Sequence, residues 1–444
     1  MSPNQPSTDA ASSSPSSSAN KPRVSRRDVL RSSSAAATSA ALFAALGTNF
    51  AYAQAPSKIK VGLVGCGGRG RGAAGNVVEA DPKGVVVHAI GDIFPDAIAD
   101  TKKLWADRPK ENFDYGDRAF HGFDAYKQVL ATDIDYVILA TPPGFRPMMI
   151  KAAIEAGKHV FAEKPLAVDA PGCRAVMEAG TMAQEKKLAI VSGTQRRHDP
   201  MHIETVKRLQ DGAIGPIVAG QVYWTGNTLW SKPRQPGWSD MEHQLRNWMY
   251  YPWLSGDLIV EQHVHNIDVA LWLLGGPPRL ALSMGGAQTR VGPNYGVTFD
   301  HFATDFEWAD GRHVVSFSRQ QDGCYNRVGH NFQGSGGHAL VEAGTIVPTG
   351  GKRWRFPAKE MVNPYVQEHI DMLASIRAGK PLNEAQQAAE SVLTAVMGRM
   401  SAYSGQLVRY SDALKSNVSL MPEKLEFGPM PEPQMAVPGK TKII

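Results

Sequence analysis

The side chains best suited to moving a proton sit in two places. One is the segment Glu261-Gln-His263-Val-His265-Asn-Ile-Asp268; the other is Lys164, within Glu163-Lys164-Pro165. The first segment runs into Val269-Ala-Leu-Trp-Leu-Leu274, which has the apolar density of a buried helix. At 3.6 residues per turn, Glu261, His265 and Asp268 fall on one face of such a helix. A histidine braced by carboxylates suits a general base that takes a hydroxyl proton. Two histidines and two carboxylates also match a metal-ligand set, but a regular helix turns His263 away from the others, so no metal is expected. The ammonium of Lys164 can hydrogen-bond a substrate hydroxyl and favour its deprotonation. A third element, Gly65-Cys-Gly67-Gly68-Arg69-Gly70, matches the G-x-G-x-x-G spacing of a dinucleotide turn. There the first glycine permits the tight turn, the second lets backbone approach a pyrophosphate, and the third lets the helix pack on its strand. Helix N-terminal amides then receive the phosphates.

These residues need a scaffold, and the flanking pattern supplies one. Short β-branched runs occur at Ile59–Val64, Val85–Ile90, Tyr136–Ala140, His159–Ala162 and Leu188–Ser192, separated by stretches of helical period such as Phe145–Ala156 and Ala170–Lys186. Apolar strands alternating with helices imply a parallel sheet covered on both faces. The fold class expected is α/β, with a Rossmann dinucleotide-binding domain over 58–195. The glycine turn follows the first strand, and Asp92 closes the second, 22 residues after Gly70. A carboxylate there accepts hydrogen bonds from ribose hydroxyls and repels a 2′-phosphate, so NAD is expected over NADP. Thr141-Pro142 and Glu163-Lys164 end the third and fourth of these strands, where ligand crevices form. The Pro142-Pro143 turn would either flank the nicotinamide or serve as a rigid corner.

Beyond Gly193 the texture changes. His202–Asp211 reads as a helix, whereas Ile217–Trp224, Val297–Trp308, Arg312–Arg319 and His338–Val341 read as strands, several alternating apolar with polar. That pattern fits a largely antiparallel sheet with one face covered. Helical stretches at Tyr365–Ala378 and Glu384–Ser401 close a second domain over 196–410, followed by an extended, loosely ordered tail over 411–444. Five tryptophans (Trp224, Trp230, Trp238, Trp248, Trp253) fall close together. Aromatic faces suit sugar rings, a subunit interface or a core, and the sequence leaves all three open.

Residues 1–53 begin with a Ser, Pro and Ala-rich stretch and continue with Arg26-Arg27-Asp28-Val29-Leu30, a short apolar run and Ala51-Tyr-Ala53. That is a charged n-region, an h-region and a small-x-small cleavage site. The paired arginines make it a twin-arginine signal, implying the twin-arginine export machinery as a partner and a periplasmic address. The segment carries +3 of the chain's +5 net charge, so the remainder offers no case for nucleic acid. Free NAD(P) does not exchange with a pool outside the cytoplasm, so tightly bound cofactor is expected. Cys66, Cys173 and Cys324 are too widely spaced for a disulfide framework or a C-x-x-C site.

With these motifs in place, residues 58–410 resemble the glucose–fructose oxidoreductase / inositol dehydrogenase / rhizopine-catabolism (Gfo/Idh/MocA) family. The string Ala156-Gly-Lys-His-Val-Phe-Ala-Glu-Lys-Pro165 carries most of the resemblance. It implies a Rossmann domain followed by an α/β domain with an open, mostly antiparallel sheet that mediates homo-oligomers. It also implies Lys164 as the catalytic lysine and His265 as the catalytic histidine. Glu261 stands where Asp is usual, and Asp268 completes an H-x-x-D pattern. Gln195-Arg196-Arg197 resembles the run opening the second domain. Arg146 stands where many members carry His, and His263 where Gly is common, so the substrate pocket is expected to differ.

The expected activity is that of an exported NAD(P)-dependent oxidoreductase moving hydride between nicotinamide and a hydroxyl carbon of a sugar, polyol or glycoside. The rival is a redox-neutral glycosidase or lyase working through a transient 3-keto sugar. A non-catalytic ligand-binding role is the third reading, which the Lys164/His265 pair opposes.

Overall fold

The computed structural model describes residues 58–431 and 433–442. The signal-like segment therefore lies outside the described residues. Ser57–Ile444 forms one compact unit, and among the described residues no helix is long and apolar enough to cross a membrane.

Six strands form the first sheet: β1 Ile59–Val64, β2 Val85–Asp92, β3 Ala119–His121, β4 Tyr136–Leu139, β5 His159–Ala162 and β6 Ile190–Ser192. Their order is β3-β2-β1-β4-β5-β6, and every pairing is parallel. The inner strands read as continuous apolar runs because both faces are covered: β4 is buried at all four positions, whereas the short edge strand β3 is half-buried to exposed and lies outside the runs expected. Strand order reverses between β1 and β4, so a crevice opens at the carboxyl ends of these two strands. The glycine turn follows β1, and Thr141-Pro142 follows β4.

The second sheet has nine strands: β7 Ile217–Gly226, β8 Leu280–Gly286, β9 His301–Glu307, β10 His313–Gln320, β11 Arg327–Gly334, β12 Gly337–Leu340, β13 Thr345–Pro348, β14 Trp354–Arg355 and β15 Val408–Arg409. Their order is β14-β13-β12-β11-β7-β10-β9-β8-β15. All neighbours are antiparallel except β7 and β10, which run parallel. Burial alternates along β9 and β10, so one face is packed and the other is open. The Val264–Leu274 and Ala385–Ser404 helices cover the packed face. On the open face, Leu282 and Met284 of β8 are exposed.

Two C-terminal helices bind the halves together. Pro364–Arg377 packs on Gly68–Ala80, and Ala385–Ser404 packs on Ala170–Lys186. His369 Nδ1 meets the Tyr136 hydroxyl at 2.8 Å in the core of the first sheet. The C-terminal segment is tethered rather than loose. Tyr410–Lys415 is a short helix. Arg174 then donates to the carbonyls of Leu414 and Ser416, and the Leu420 amide donates to Asp169 at 2.8 Å. Polar contacts made by residues far upstream hold it, and its own composition carries no sign of them.

Candidate functional site

The glycine turn is built by close approach. Gly65 has φ +99°, a conformation that L side chains rarely adopt. A Cβ on Gly70 would lie 1.8 Å from the Gly65 carbonyl oxygen, so the helix can reach its strand only with glycine there. Cβ atoms on Gly67 and Gly68 would meet nothing within 4 Å. These two residues line a cavity of about 430 Å³ at the N-terminus of the Gly68–Ala80 helix, together with Arg71 and Asp92. Open backbone amides, a helix N-terminus and a nearby guanidinium are what a pyrophosphate requires, so the residues present fit a dinucleotide. Asp92 accepts from the Cys66 amide at 2.7 Å and from the Phe94 amide at 2.9 Å. Each carboxylate oxygen has a second lone pair, which leaves capacity for ribose hydroxyls. Burial pushes its carboxyl up, and the backbone donors oppose the rise. Cys66 is fully buried, and burial pushes its thiol up, so it is a packing residue.

A second cavity of about 260 Å³ adjoins the first. Thr141, Pro142 and Trp248 line both. Lys164, Glu261, His265 and Arg146 line the second alone, which makes it the candidate reaction chamber. Lys164 Nζ donates to the Glu261 carboxylate at 2.9 Å and to the Glu261 carbonyl at 2.6 Å. An ammonium has three donors, so one stays available. Glu163 is held by the Arg69 Nε–H. Arg69 also reaches Glu368 at 3.3 Å and lies over the Tyr365 ring at 4.8 Å. The guanidinium of the glycine turn is thus tied to the strand that carries Lys164.

The four titratable residues of the 261–268 segment do not all share one site. Glu261 ends a short helix, Leu258–Glu261, and the next helix begins at Val264. The backbone is therefore not one regular helix, yet Glu261 and His265 still face one chamber. Asp268 does not join them. It is buried and takes Arg197 Nε and Nη2, each at 2.8 Å, and the Ser391 hydroxyl at 2.8 Å. His263 is fully buried, with Nε2 2.7 Å from Ser316 Oγ of β10. Burial, and secondarily the charge of Arg196, pull its imidazole down to about 3. Asn266 donates to the Tyr223 carbonyl at 2.7 Å. His263 and Asn266 thus fix the helix on the sheet, and this sets the direction of His265.

No carboxylate braces His265. Its Nδ1 is buried without a hydrogen-bond partner, and the Trp224 ring stacks against it at 5.8 Å and 20°. Burial first, then the charges of Lys164 and Arg196, hold the imidazole well below its usual value. The sequence pattern suggested bracing, but Lys164 claims Glu261 and Arg197 claims Asp268. Arg146 is buried and donates to the Pro165 carbonyl at 2.6 Å. Burial pulls its guanidinium down to about 10, opposed by Glu163 and Glu261, so it is charged at neutral pH.

The aromatic group divides. Trp230 and Trp248 meet edge to face at 6.1 Å and line the dinucleotide cavity. Trp224 backs His265, while Trp253 packs on Phe145 at 5.8 Å. Several lining residues escaped sequence reasoning, Arg71 and Tyr365 among them. Arg71 could have been found from its place in the first turn of the glycine-turn helix. Tyr365 arrives from a distant helix, and nothing local signals it.

Residues 59–193 match the family model described as the GFO/IDH/MocA oxidoreductase family with an NAD-binding Rossmann fold, and residues 203–339 match the GFO/IDH/MocA C-terminal domain. Among similar proteins, inositol 2-dehydrogenase of Rhizobium meliloti (strain 1021) is 28% identical over 148 residues, 33% of this chain and 39% of that protein. A glycosyl hydrolase family 109 protein of Solibacter usitatus (strain Ellin6076) is 26% identical over 245 residues, 52% of this chain and 53% of that protein. The chain thus spans less than two thirds of the length of these relatives. Levoglucosan dehydrogenase in complex with NADH and levoglucosan shares the fold, with a TM-score of 0.64 at 18% identity over 80% of this chain and 100% of that one.

Proposed function

Because the chain belongs to the GFO/IDH/MocA oxidoreductase family, we propose that it is an exported NAD-dependent oxidoreductase acting on a hydroxyl-bearing carbon of a sugar, polyol or glycoside. The observation that carries this reading is the shared chamber. Lys164 and His265 face one cavity, and Thr141-Pro142 joins that cavity to the dinucleotide crevice. Bound NAD would supply the hydride acceptor, held in the crevice lined by the glycine turn, Asp92 and Thr141-Pro142. The protein's part is the proton and the geometry. The free donor of Lys164 binds the substrate oxygen and stabilises negative charge as it develops there. His265, neutral at working pH, takes the hydroxyl proton. Arg69, Glu163 and Glu261 hold Lys164 and the glycine turn in register. Inositol 2-dehydrogenase and levoglucosan dehydrogenase among the relatives support the substrate class.

Export by the twin-arginine route rests on residues 26–31 and the apolar run after them. Homo-oligomers built on the open sheet face are part of the same reading, supported by exposed Leu282 and Met284. A redox-neutral cleavage through a transient ketone is the second reading, favoured by relatives titled glycosyl hydrolase family 109 protein.

One preparation separates the readings. Mature protein purified without added nucleotide, then denatured, should release stoichiometric NAD(H). Incubation with inositols, levoglucosan and aryl glycosides should then give a ketone with net NADH. Cleaved glycoside without net NADH would establish the second reading instead. Protein empty of nucleotide and unable to bind added NAD would defeat both.

A further inference from the structure

Away from both cavities, three side chains from three separate elements converge. His202 lies on the Pro200–Gln210 helix, His330 on β11 and Glu342 in the Val341–Ala343 turn, and one donor atom of each lies within 4.8 Å of the others. We propose that this cluster binds one divalent transition-metal ion, zinc by its donor set. The proposal uses none of the residues assigned to hydride transfer and does not depend on that assignment.

The spacing is the first argument. Glu342 Oε2 lies 3.4 Å from His202 Nε2 and 3.4 Å from His330 Nδ1. Those separations are long for N–H···O hydrogen bonds, which centre near about 2.9–3.0 Å. These two separations match edges of a tetrahedron whose metal–ligand bonds are about 2.0–2.1 Å, since such edges are about 3.3–3.4 Å, and the third lies within 4.8 Å. Two imidazoles and one carboxylate are a recurring zinc set that leaves a fourth position for water.

His330 supplies the second argument. It is 1% exposed, and neither ring nitrogen has a hydrogen-bond partner. A buried imidazole left this way forfeits the polar interactions it had with water, and coordination of one nitrogen restores one of them. A metal-free ion-pair network would account for Glu342 and His202 but leaves His330 unexplained.

The surroundings are those of a ligand set held from outside. His202 Nδ1 meets Asp199 Oδ2 at 2.5 Å, which frees Nε2 for the ion and fixes the ring. Arg196 grips Glu342 through both oxygens at 3.0 Å and orients the carboxylate. The Glu342 side chain is 35% exposed, which gives an ion a path from solvent. Arg196 in turn lies over the Trp224 ring at 5.8 Å, and that ring stacks on His265. An ion here would lock the first helix of the second domain to its sheet, directly behind the proposed base.

The test uses the full mature chain without a histidine tag, stripped with EDTA, reloaded with Zn²⁺ and desalted. Elemental analysis should find one zinc per chain. The melting temperature should rise on reloading, and a Co²⁺-loaded sample should show the visible bands of a tetrahedral site. His330→Gln and His202→Gln should abolish all three while keeping the far-UV spectrum and nucleotide retention. Should either variant fail to fold, Glu342→Gln gives the same readout from a half-buried position. Wild type that retains less than a tenth of an equivalent overturns the proposal. So does a zinc-induced melting shift that persists in His330→Gln, because the ion would then be bound elsewhere.

Discussion

Replacing Lys164 by Met separates two things this residue does, and their sizes can be worked out separately. The Lys164–Glu261 pair is 2.9 Å long, with side chains 15% and 7% exposed. Removing the ammonium strands a buried carboxylate whose one remaining side-chain donor is Gln262. Such a loss costs about 3–5 kcal/mol. For a compact unit spanning Ser57–Ile444, at about 2 cal/mol/K per residue, that corresponds to a fall of about 4–6 °C in Tm. Adding Glu261→Gln removes the stranded charge, because replacing both members of a buried pair with neutral groups is close to neutral. The Glu261 carbonyl still loses its donor, so the double variant should regain all but about 1 kcal/mol. Turnover should not return. Losing a charged donor at the oxygen where negative charge develops lowers kcat about 10²–10³-fold, in the single and the double variant alike. The measurements are thermal denaturation by circular dichroism and NADH formation on whichever polyol or glycoside turns over. A double variant that regains both stability and turnover would show Lys164 to be a structural ion-pair partner and remove it from the chemistry.

The protonation behaviour of His265 gives a second expectation. Burial and the Lys164 charge keep the neutral imidazole favoured, so kcat/KM should show no acid limb near the ordinary histidine value of about 6.5; a limb there, absent in a His265→Gln background, would contradict the assignment. His198 behaves in the opposite sense. Burial works against its charge, but Asp371 at 2.7 Å and Glu384 at 3.3 Å hold it up to about 10. Its folded value exceeds its unfolded one, so its stabilisation is complete below about pH 6.5 and is lost as pH rises toward 10. Urea unfolding from pH 6 to 10 should show that decline in wild type and a flatter profile in His198→Gln; equal slopes would refute it. The C-terminal segment should govern cofactor retention. Phe427 packs on Phe123 at 5.1 Å and on Phe94 at 6.1 Å, and both partners line the dinucleotide cavity. Each such pair contributes about 0.5–1.5 kcal/mol, so truncation after Pro422 should speed NAD release roughly tenfold or more, read by dialysis and absorbance, and unchanged release would show the segment to be uninvolved.

Local sequence carries some of this architecture and not the rest, and the division has a physical basis. Inner strands of the first sheet are covered on both faces and read as apolar runs, and Ile59–Val64 and His159–Ala162 occur at those limits, whereas the short edge strand Ala119–His121, half-buried to exposed, carries no such signal. The Leu280–Gly286 and Arg327–Gly334 strands do not, because Gly285, Gly286, Gly329 and Asn331 weaken any local β signal. Neighbouring strands impose their conformation. At the site, the glycine turn and the Glu163-Lys164 strand end are legible because turn chemistry is local. The partners of Glu261 and Asp268 are not. Lys164 lies 97 residues from Glu261, and Arg197 and Ser391 lie 71 and 123 residues from Asp268. Helical spacing places three polar groups on one face but cannot say which cation from elsewhere will claim each carboxylate. The break between Glu261 and Val264 is likewise invisible to periodicity.

The consequence of that pairing is a base without an acid partner, and the same charge can explain why this works. Each carboxylate near the chamber is taken by a cation: Glu163 by Arg69, Glu261 by Lys164, Asp268 by Arg197. His265 is left against the Trp224 ring, with Lys164 lowering its affinity for a proton. On the proposed reading, Lys164 also binds the hydroxyl that loses this proton. Its charge then acts on both ends of one transfer. The alkoxide forms in direct hydrogen-bond contact with the ammonium, whereas the imidazolium makes no such contact, and Coulomb energy falls with distance. Stabilisation of the oxygen therefore exceeds destabilisation of the histidine. The arrangement keeps the base unprotonated before substrate arrives and still favours transfer once the hydroxyl is in place.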